Sequence, residues 1–370
     1  MPFVNDRIDP NHPQPSLTNA SPAADLLTSR FVFNPAQVMA LLRSRIVGQE
    51  QAMSAVEALL NVVKVDIGER ERPLTVNLFM GPTGVGKTEI VRLLAQAIHG
   101  HGRSDAFCRI DMHTLAQEHY SAALTGAPPG YVGSKEGVSL FNSELIQGTY
   151  SRPGIVLFDE LEKASKEVVR SLLGILENGQ LTLAGGSRTL DFRNSLIFMT
   201  SNIGAQQATT YRERFSRGWR RWLGIAPQGE QAMLEQALHA WFEPEFLNRI
   251  DRILVFQRIE TQWLEALLQI ELNKLNQRLG QHRRTLVLDV AASDWLCRKH
   301  DPRFGARALT RRVRVELEPA IAECMLAHPQ AMQMTATVES NRLTVVPAQS
   351  TVFNASTPKD FPATSPNCGG

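Results

Sequence analysis

The spacing of apolar residues along the first part of the chain predicts a helix followed by a strand. Residues 49–66 are interpreted as one amphipathic helix, because their apolar members recur at intervals that place them on a single helix face; these members are Ala52, Val56, Leu59, Leu60 and Val63. A continuous apolar run over residues 76–80 then ends at a glycine, which is typical of a buried strand followed by a turn.

Further apolar runs alternate with helical segments up to about residue 200. Buried strands are predicted over residues 107–112, 155–158 and 196–200, and helices over residues 87–99 and 165–177. Strands that alternate with helices in this way imply an α/β fold, a parallel sheet sandwiched by helices.

The pattern changes after about residue 258. A long leucine-marked helix is followed by a strand over residues 286–290, two more helices and a hairpin over residues 334–346. We therefore expect a large α/β domain over residues 35–257 and a smaller mixed α+β domain over residues 258–346.

The two ends of the chain, residues 1–34 and 347–370, are rich in polar residues and proline without sustained periodicity. Such segments bury too little apolar surface to offset the entropy of ordering them. We therefore expect both ends to be disordered.

Composition and charge argue against several classes of protein. The chain holds 39 Lys and Arg against 37 Asp and Glu, a formal net charge of +2, so overall charge does not favour nucleic acid or a membrane as the main partner. Its four cysteines form no Cys-x-x-Cys pair, which favours reduced thiols over a zinc site. The N-terminus lacks the apolar core of a signal peptide, and no uncharged apolar run approaches about 20 residues. A cytoplasmic protein without a membrane span is expected.

Candidate chemistry begins with the string GPTGVGKT at residues 81–88, which fits Gly-x4-Gly-Lys-Thr between a predicted strand and a predicted helix. Glycines let backbone N–H groups face phosphate oxygens, and the following helix N-terminus favours an anion. Lys87 is expected to reach the β- and γ-phosphates of a nucleotide, and Thr88 to ligate Mg²⁺. The nucleotide-binding residues of this loop are Pro82, Thr83, Gly84, Val85, Gly86, Lys87 and Thr88.

A second candidate is IVLFDELEK at residues 155–163, in which an apolar strand ends in two acids. Asp159 is expected to hold the Mg²⁺ shell, and Glu160 to polarise the attacking water as base or orienter. Two acids after a strand also occur as the charged start of a helix, but their position about seventy residues after the phosphate loop favours the metal.

A third candidate, SLIFMTSN at residues 195–202, ends an apolar strand in Asn202. The amide of Asn202 is suited to a place beside the γ-phosphate. Without the other two strings, the same residue would be interpreted as the start of a turn.

Together these strings resemble AAA+ ATPases, and within them the Clp family, particularly the second ATPase module of ClpB-type disaggregases and ClpA-type unfoldases. The matching strings occur in family order over roughly residues 40–346; they are RIVGQEQA (45–52), GPTGVGKTE (81–89), RIDM (109–112), GAPPGYVG (126–133), LFDELEKA (157–164), LDFRNS (190–195), TSN (200–202), PEFLNRID (244–251) and FGARAL (304–309). Such a set is far more specific than a phosphate loop alone.

The resemblance implies roles for further nucleotide-site residues. Ile46 and Val47 correspond to the apolar cradle for adenine, and Asn202 to the first sensor of the γ-phosphate. Arg307, in the string GAR, corresponds to a second sensor carried on the small domain. The alternative for Arg307 is one more charge on a basic helix.

The resemblance also implies an arginine finger and therefore a ring. Arg249, in FLNRID, corresponds to the arginine that enters the site of a neighbouring subunit and neutralises developing phosphoryl charge. A finger acting on a neighbour requires a ring, and the family implies a homohexamer. The alternative is a surface arginine paired with Asp251.

Protein substrates are implied by GAPPGYVG. Tyr131 corresponds to the tyrosine that lines the central pore of Clp rings and grips an extended polypeptide, with Val132 assisting; the alternative is a tyrosine packed in a Pro-Gly turn. A second pore loop is expected near residues 179–189, where family members often carry an acid and this chain has small residues.

Two stretches leave alternatives open. Residues 211–231 include five arginines and two tryptophans, which indicate either a patch for nucleic acid or an acidic partner, or a solvated surface loop. Leu223, Gly224 and Ile225 resemble the tripeptide by which protease-partnered Clp ATPases dock on their peptidase, with Ile where Phe or Leu is usual.

The function predicted from the sequence is an ATP-driven unfoldase or remodelling motor that threads polypeptide through a hexameric ring, with ATP and Mg²⁺ as cofactors. One ATPase module is recognised, without an N-terminal adaptor domain or a coiled-coil middle domain, so the full disaggregase function is not expected. The alternatives are an ATPase subunit docked on a Clp-type peptidase and a nucleic-acid-associated AAA+ switch.

Overall fold

The polypeptide forms two compact units. The computed structural model describes residues 29–100, 106–116, 141–182, 189–204, 230–298 and 305–348. The first unit comprises the described residues up to Arg43 together with those of Glu50–Met80 and Lys87–Val255. The second unit comprises Ser44–Gln49, Gly81–Gly86 and the described residues from Phe256 onward.

A parallel sheet is the basis of the first unit. The strands of this unit are β1 (Thr75–Met80), β2 (Cys108–Asp111), β3 (Gly154–Asp159), β4 (Gln180–Thr182), β5 (Thr189–Asp191), β6 (Ser195–Ser201) and β7 (Arg252–Val255). Among the described residues the sheet has five strands in the order β2-β3-β6-β1-β7, and each neighbouring pair is parallel. The strands β4 and β5 pair only with each other, as an antiparallel hairpin.

Helices flank this sheet. They are α1 (Pro35–Arg45), α2 (Glu50–Val65), α3 (Lys87–His99), α4 (Ser143–Gln147), α5 (Lys166–Ser171), α6 (Leu173–Asn178), α7 (Glu230–Trp241) and α8 (Pro244–Leu247). The central strands β1, β3 and β6 are buried along their whole length, as expected for parallel strands with both faces covered. One sheet face packs against α4–α8 in a core that includes Phe158, Ile197 and Phe246, while α3 contacts β3 and β6, and α2 contacts β7.

The second unit is a smaller mixed layer. Its elements are α9 (Leu264–Gly280), β8 (Thr285–Leu288), α10 (Val290–Arg298), α11 (Ala306–Arg312), α12 (Glu318–Ala327), β9 (Gln333–Glu339) and β10 (Arg342–Pro347). Among the described residues its sheet has the order β10-β9-β8, with β9 and β10 antiparallel and β8 and β9 parallel. The side chain of Asn276 in α9 donates to the carbonyl of Leu286 and accepts from its amide, at 2.9 and 2.8 Å, and so fixes the helix to β8.

The structure corrects two predicted boundaries. Phe31 and Phe33 are only 1% and 5% exposed, so the packed chain begins before residue 35 and residues 29–34 are not disordered. The predicted large domain of residues 35–257 is interrupted, because Ser44–Gln49 and Gly81–Gly86 group with the second unit.

Two predicted elements also change. The single helix predicted over residues 165–177 is the pair α5 and α6, joined at Leu172. The hydroxyl of Ser171 donates to the carbonyl of Val168 at 2.7 Å, a local bond that competes with the regular helix pattern. The strand β7 is missing from the predicted set because its residues are partly exposed and do not form a continuous buried run.

No helix in the described ranges combines the length and the apolar character needed to cross a membrane.

Candidate active site

Lys87 and Asn202 are in direct contact at the carboxyl edge of the parallel sheet. Asn202 immediately follows β6, and Lys87 is the first residue of α3. The Nζ atom of Lys87 donates to Oδ1 of Asn202 at 2.8 Å, and the lysine residue is only 8% exposed. The structure therefore brings together two of the residues for which the sequence predicts phosphate contacts.

Asp159 ends the neighbouring strand β3 and is 5% exposed. Its Oδ1 atom accepts a hydrogen bond from the Thr200 hydroxyl at 2.5 Å, and its Oδ2 atom accepts one from Nη2 of Arg109 at 2.6 Å. A buried carboxylate without such partners would be costly. Thr200 and Arg109 therefore hold the Asp159 side chain in place.

The donor atoms of Thr88 and Asp159 fit a Mg²⁺ ion. The hydroxyl of Thr88 lies 3.2 Å from Oδ1 of Asp159. Both are hard oxygen donors, and Mg²⁺ in nucleotide sites is held by one or two side chains of this kind together with phosphate oxygens.

Glu160 has a left-handed backbone conformation, with φ 59° and ψ 56°. This conformation costs a residue other than glycine about 1–3 kcal/mol and persists where the surrounding structure enforces it. The backbone N–H of Glu160 donates to the Thr200 hydroxyl at 2.9 Å, and its carbonyl accepts from the amide of Lys163 at 2.9 Å. Thr200 thus fixes both acids, Asp159 through its side chain and Glu160 through its backbone.

The phosphate loop of residues 81–86 belongs to the second unit. Gly81, Gly84 and Gly86 have φ angles of 139°, 74° and 104°, a region that residues with a side chain rarely adopt. At Gly81 an added Cβ would lie 2.5 Å from the carbonyl oxygen of Phe256, and at Gly86 it would lie 3.4 Å from Cδ1 of Ile46. Ile46, predicted to cradle adenine, therefore lies beside the loop.

Val47, the other predicted adenine residue, is partly buried against the apolar core of the second unit. Pro82 and Thr83 lie in the phosphate loop, and Val85 is 3% exposed. Burial of Val85 anchors the middle of the loop between Gly84 and Gly86.

The N-terminus of α11 contacts the same loop. The amide of Ala306 donates to the carbonyl of Gly84 at 2.8 Å. Gly305, with φ 53°, permits this approach, because a Cβ there would lie 2.6 Å from the Gly84 oxygen. Arg307 is the next residue of this first helical turn and is exposed. The predicted second sensor is thus attached to a helix that touches the phosphate loop.

Arg249 lies at the other end of the sheet. Two residues later, Asp251 donates its amide to the carbonyl of Val76 at 2.9 Å and accepts the Val76 amide at Oδ2 at 2.7 Å, which places this segment at the amino end of β1. Arg249 pairs with Glu177, with 2.7 Å between Nη2 and Oε1. The alternative pairing of Arg249 with Asp251 is not what the structure shows, because Asp251 pairs with Arg72 at 2.7 Å.

The base of the predicted second pore loop is the hairpin of β4 and β5. Arg193, just after β5, donates to Asp191 through Nη2 at 2.6 Å. This hydrogen bond lowers the pKa of Asp191 below its usual value, and so keeps the carboxylate ionised. The carbonyl of Gly179 accepts the amide of Phe192 at 2.7 Å, which closes the hairpin. Residues 183–188, its tip, lie outside the described residues.

Several other predicted residues also lie outside the described ranges. They are the pore-loop residues Tyr131 and Val132, the tripeptide Leu223, Gly224 and Ile225, and the Arg/Trp-rich stretch of residues 211–222.

The structure adds four residues that the sequence analysis did not assign to the site or to the finger. They are Arg109, Glu162, Glu177 and Thr200. Arg109, Glu162 and Thr200 stand within the motif strings RIDM, LFDELEKA and TSN, so the strings already marked their positions as part of the site. Which member of each string points at its neighbours depends on the register between strands, and the strings alone do not give that register.

Two family models match the chain. One is described as the AAA domain (Cdc48 subfamily) and matches residues 72–253. The other is described as the C-terminal, D2-small domain of ClpB protein and matches residues 259–338. The first match contains the phosphate loop, Asp159 and Glu160, and the second contains α9–α12.

Individual proteins are similar over most of the chain. The "ATP-dependent protease ATP-binding subunit-like protein AmiB" of Pseudomonas aeruginosa is 46% identical over 354 residues, covering 89% of this chain and 94% of that protein. An "ATP-dependent protease ATP-binding subunit-like protein" of Rhodococcus erythropolis is 38% identical over 331 residues, covering 88% and 92%. "Chaperone protein ClpB 1" of Parasynechococcus marenigrum is 37% identical over 304 residues, covering 81% of this chain and 33% of that protein.

Proposed function

Because the chain belongs to the Clp family of AAA+ ATPases, we propose that it is a motor that unfolds or remodels proteins by drawing polypeptide through the pore of a homohexameric ring. Its ATPase activity follows from the family. The ring, the threading mechanism and the roles of individual residues are the proposal.

In this proposal the residues at the carboxyl edge of the sheet bind and hydrolyse ATP. Lys87 offers its ammonium group to phosphate oxygens, and Asn202, which it contacts at 2.8 Å, senses the γ-phosphate. Thr88 and Asp159 would hold Mg²⁺ together with the nucleotide, and the ion would supply positive charge to the phosphates. Glu160 orients the attacking water and accepts its proton.

The position of Arg249 is the observation that most supports a ring. Asp159 and Asn202 lie at the carboxyl ends of their strands, whereas Arg249 lies beside the amino end of β1. The six residues of β1 span about 20 Å, which is farther than an arginine side chain reaches. An arginine finger at this position therefore acts on the site of a neighbouring subunit, and head-to-tail contacts of this kind form a ring when the rotation between subunits closes.

Polypeptide gripping is assigned to Tyr131, with Val132 beside it, on the motif GAPPGYVG. A flat aromatic ring offers contact area to many kinds of side chain, which suits a motor that must move along an unfolded chain of any sequence.

The test is ATP-dependent loss of fluorescence from a stably folded fluorescent protein, with wild type and Tyr131→Ala compared. We expect wild type to unfold it, and the variant to hydrolyse ATP without unfolding. Lys87→Ala serves as a control that loses both activities. If wild type hydrolyses ATP but unfolds nothing, general unfolding is wrong, and a remodeller dedicated to one substrate becomes the better proposal.

A role as the ATPase subunit of a peptidase complex is the second candidate. It is favoured by two relatives of nearly full coverage, whose names describe ATP-dependent protease ATP-binding subunit-like proteins. The docking element in this case is Leu223, Gly224 and Ile225. Degradation of a labelled protein in the presence of a Clp-type peptidase tests it, since Gly224→Ala should abolish degradation and leave ATP hydrolysis unchanged.

The third alternative, a nucleic-acid-associated switch, makes a different prediction. In that case single-stranded or duplex nucleic acid should stimulate ATP hydrolysis. We expect no stimulation, because the proposed substrate is polypeptide.

A further inference from the structure

The side-chain amide of Asn202 is held from both sides. On one side its Oδ1 accepts from Nζ of Lys87 at 2.8 Å. On the other, Oε1 of Glu162 accepts from Nδ2 of Asn202 at 3.0 Å and from its backbone amide at 3.2 Å. A lysine ammonium can only donate, and an ionised carboxylate can only accept. The two partners together therefore determine which end of the amide faces the lysine.

Local backbone structure directs Glu162 toward Asn202. The residue lies in the short 3₁₀ turn Leu161–Lys163, which follows the left-handed Glu160. Leu161 is fully buried, and this anchors the turn. The half-buried Glu162 then extends toward the end of β6.

One carboxylate oxygen of Glu162 makes no hydrogen bond within the described part of the chain. The Oε2 atom is buried and has no hydrogen-bond partner among the described residues. Burying a carboxylate oxygen in this way is unfavourable. The side-chain hydrogen bonds that Glu162 makes within the described residues both go to Asn202, so the placement of Asn202 is what this side chain serves.

We propose that Glu162 is a positioning residue for ATP hydrolysis, which holds the amide of Asn202 in the orientation that reads the γ-phosphate. The inference rests on the ATPase activity of the family and not on protein unfolding. It is compatible with bound nucleotide, because the NH₂ group of Asn202 has two hydrogens and Glu162 takes one.

The experiment measures steady-state ATP hydrolysis by the full chain as wild type, Glu162→Ala, Asn202→Ala and the double variant. A misplacement of about 1 Å at a reacting centre costs about a hundredfold in rate, so we expect Glu162→Ala to lower kcat by about tenfold to a hundredfold. KM and the affinity for a fluorescent ATP analogue should change by less than about threefold. Because Glu162 acts through Asn202, the double variant should be no slower than Asn202→Ala alone.

Three further variants separate positioning from a purely structural role. Glu162→Gln keeps an oxygen acceptor and should retain most of the activity. Glu162→Asp keeps a carboxylate but is shorter by about 1.5 Å. This variant replaces Glu162→Ala in the test if the alanine variant does not fold. Its expected result is a loss of kcat in the wild-type background and no further loss in the Asn202→Ala background. Glu167→Ala, which removes an exposed acid of α5, is the matched control and should behave as wild type.

Two results would overturn the proposal. One is a wild-type kcat for a folded Glu162→Ala or Glu162→Asp variant. The other is an additive loss in the double variant, which would mean that Glu162 acts independently of Asn202. Neither result bears on whether the protein unfolds substrates, because protein substrates are absent from the assay.

Discussion

Arg249 and Glu177 form an ion pair within the chain, with 2.7 Å between Nη2 and Oε1. The two side chains remain 38% and 44% exposed, and pairs of such exposure contribute about 0–1 kcal/mol. The pair is therefore weak enough to open. It holds the arginine at the amino end of the sheet without fixing it there.

If Arg249 acts on a neighbouring site, Arg249→Ala should lower kcat by about 10³-fold or more, as the loss of an arginine finger does in other nucleotide hydrolases. Nucleotide affinity should change little, because the finger stabilises the transition state rather than bound ATP. The measurement is steady-state ATP hydrolysis beside binding of a fluorescent ATP analogue.

Mixing two inactive variants shows whether the finger acts in trans. Arg249→Ala subunits keep an intact site, and Glu160→Gln subunits keep an intact finger. Mixed rings then contain some interfaces at which an intact site faces an intact finger. ATP hydrolysis by the mixture should therefore rise above that of either variant alone. Mixtures as inactive as their components would contradict action in trans. Glu177→Ala, which breaks only the weak pair, should stay within a few-fold of wild type.

The contact between α11 and the phosphate loop leads to a second prediction. Gly305 combines φ 53° with an approach that would place a Cβ 2.6 Å from the oxygen of Gly84. Gly305→Ala therefore adds both backbone strain of about 1–3 kcal/mol and a clash with backbone. We expect affinity for a fluorescent ATP analogue to fall by about tenfold, together with a lower melting temperature.

Gly280, the last residue of α9, provides the matched control. A Cβ at this position meets nothing within 4 Å, and its φ is not positive. Gly280→Ala should therefore bind nucleotide as wild type does, with stability unchanged or raised by up to about 1 kcal/mol. Equal nucleotide affinity in the two alanine variants would mean that the α11 contact does not shape the phosphate loop.

Strands that are buried on both faces are the elements that the apolar pattern of this sequence predicts best. The runs predicted at residues 76–80, 155–158 and 196–200 are the core of β1, β3 and β6, because strands buried on both faces must be apolar throughout. β7 lies at the edge of the sheet and keeps exposed positions, so the same criterion does not detect it.

Residues that act by contact are harder to predict. Thr200 reaches Asp159 because Phe158 pairs with Met199 in the register of β3 against β6, which places the following residues side by side. Arg109 pairs with Leu157 in the register of β2 against β3, two residues before Asp159, and its long side chain spans this offset to reach Asp159 at 2.6 Å. Register depends on the packing of the whole sheet, so the strings identify the strand ends but not which side chains meet.

Thr200 provides the last prediction, since its hydroxyl connects the two acids of the site. It donates to Asp159 at 2.5 Å and accepts the backbone N–H of Glu160 at 2.9 Å. Thr200→Val preserves shape and removes both bonds, and each polar group left unpaired costs about 1–3 kcal/mol. If about 3 kcal/mol of this free-energy cost falls on the transition state, kcat decreases by about a hundredfold.

Thr200→Ser separates the hydroxyl from the methyl group. The serine keeps both hydrogen bonds and leaves only a small gap, which lowers the free energy of unfolding by about 1 kcal/mol but should leave kcat within a few-fold of wild type. The measurement is steady-state ATP hydrolysis of both variants, with circular dichroism melting to establish that each is folded. A valine variant that hydrolyses ATP as fast as the serine variant would show that the bridge through Thr200 is not needed, and that Asp159 and Glu160 are held by their other contacts.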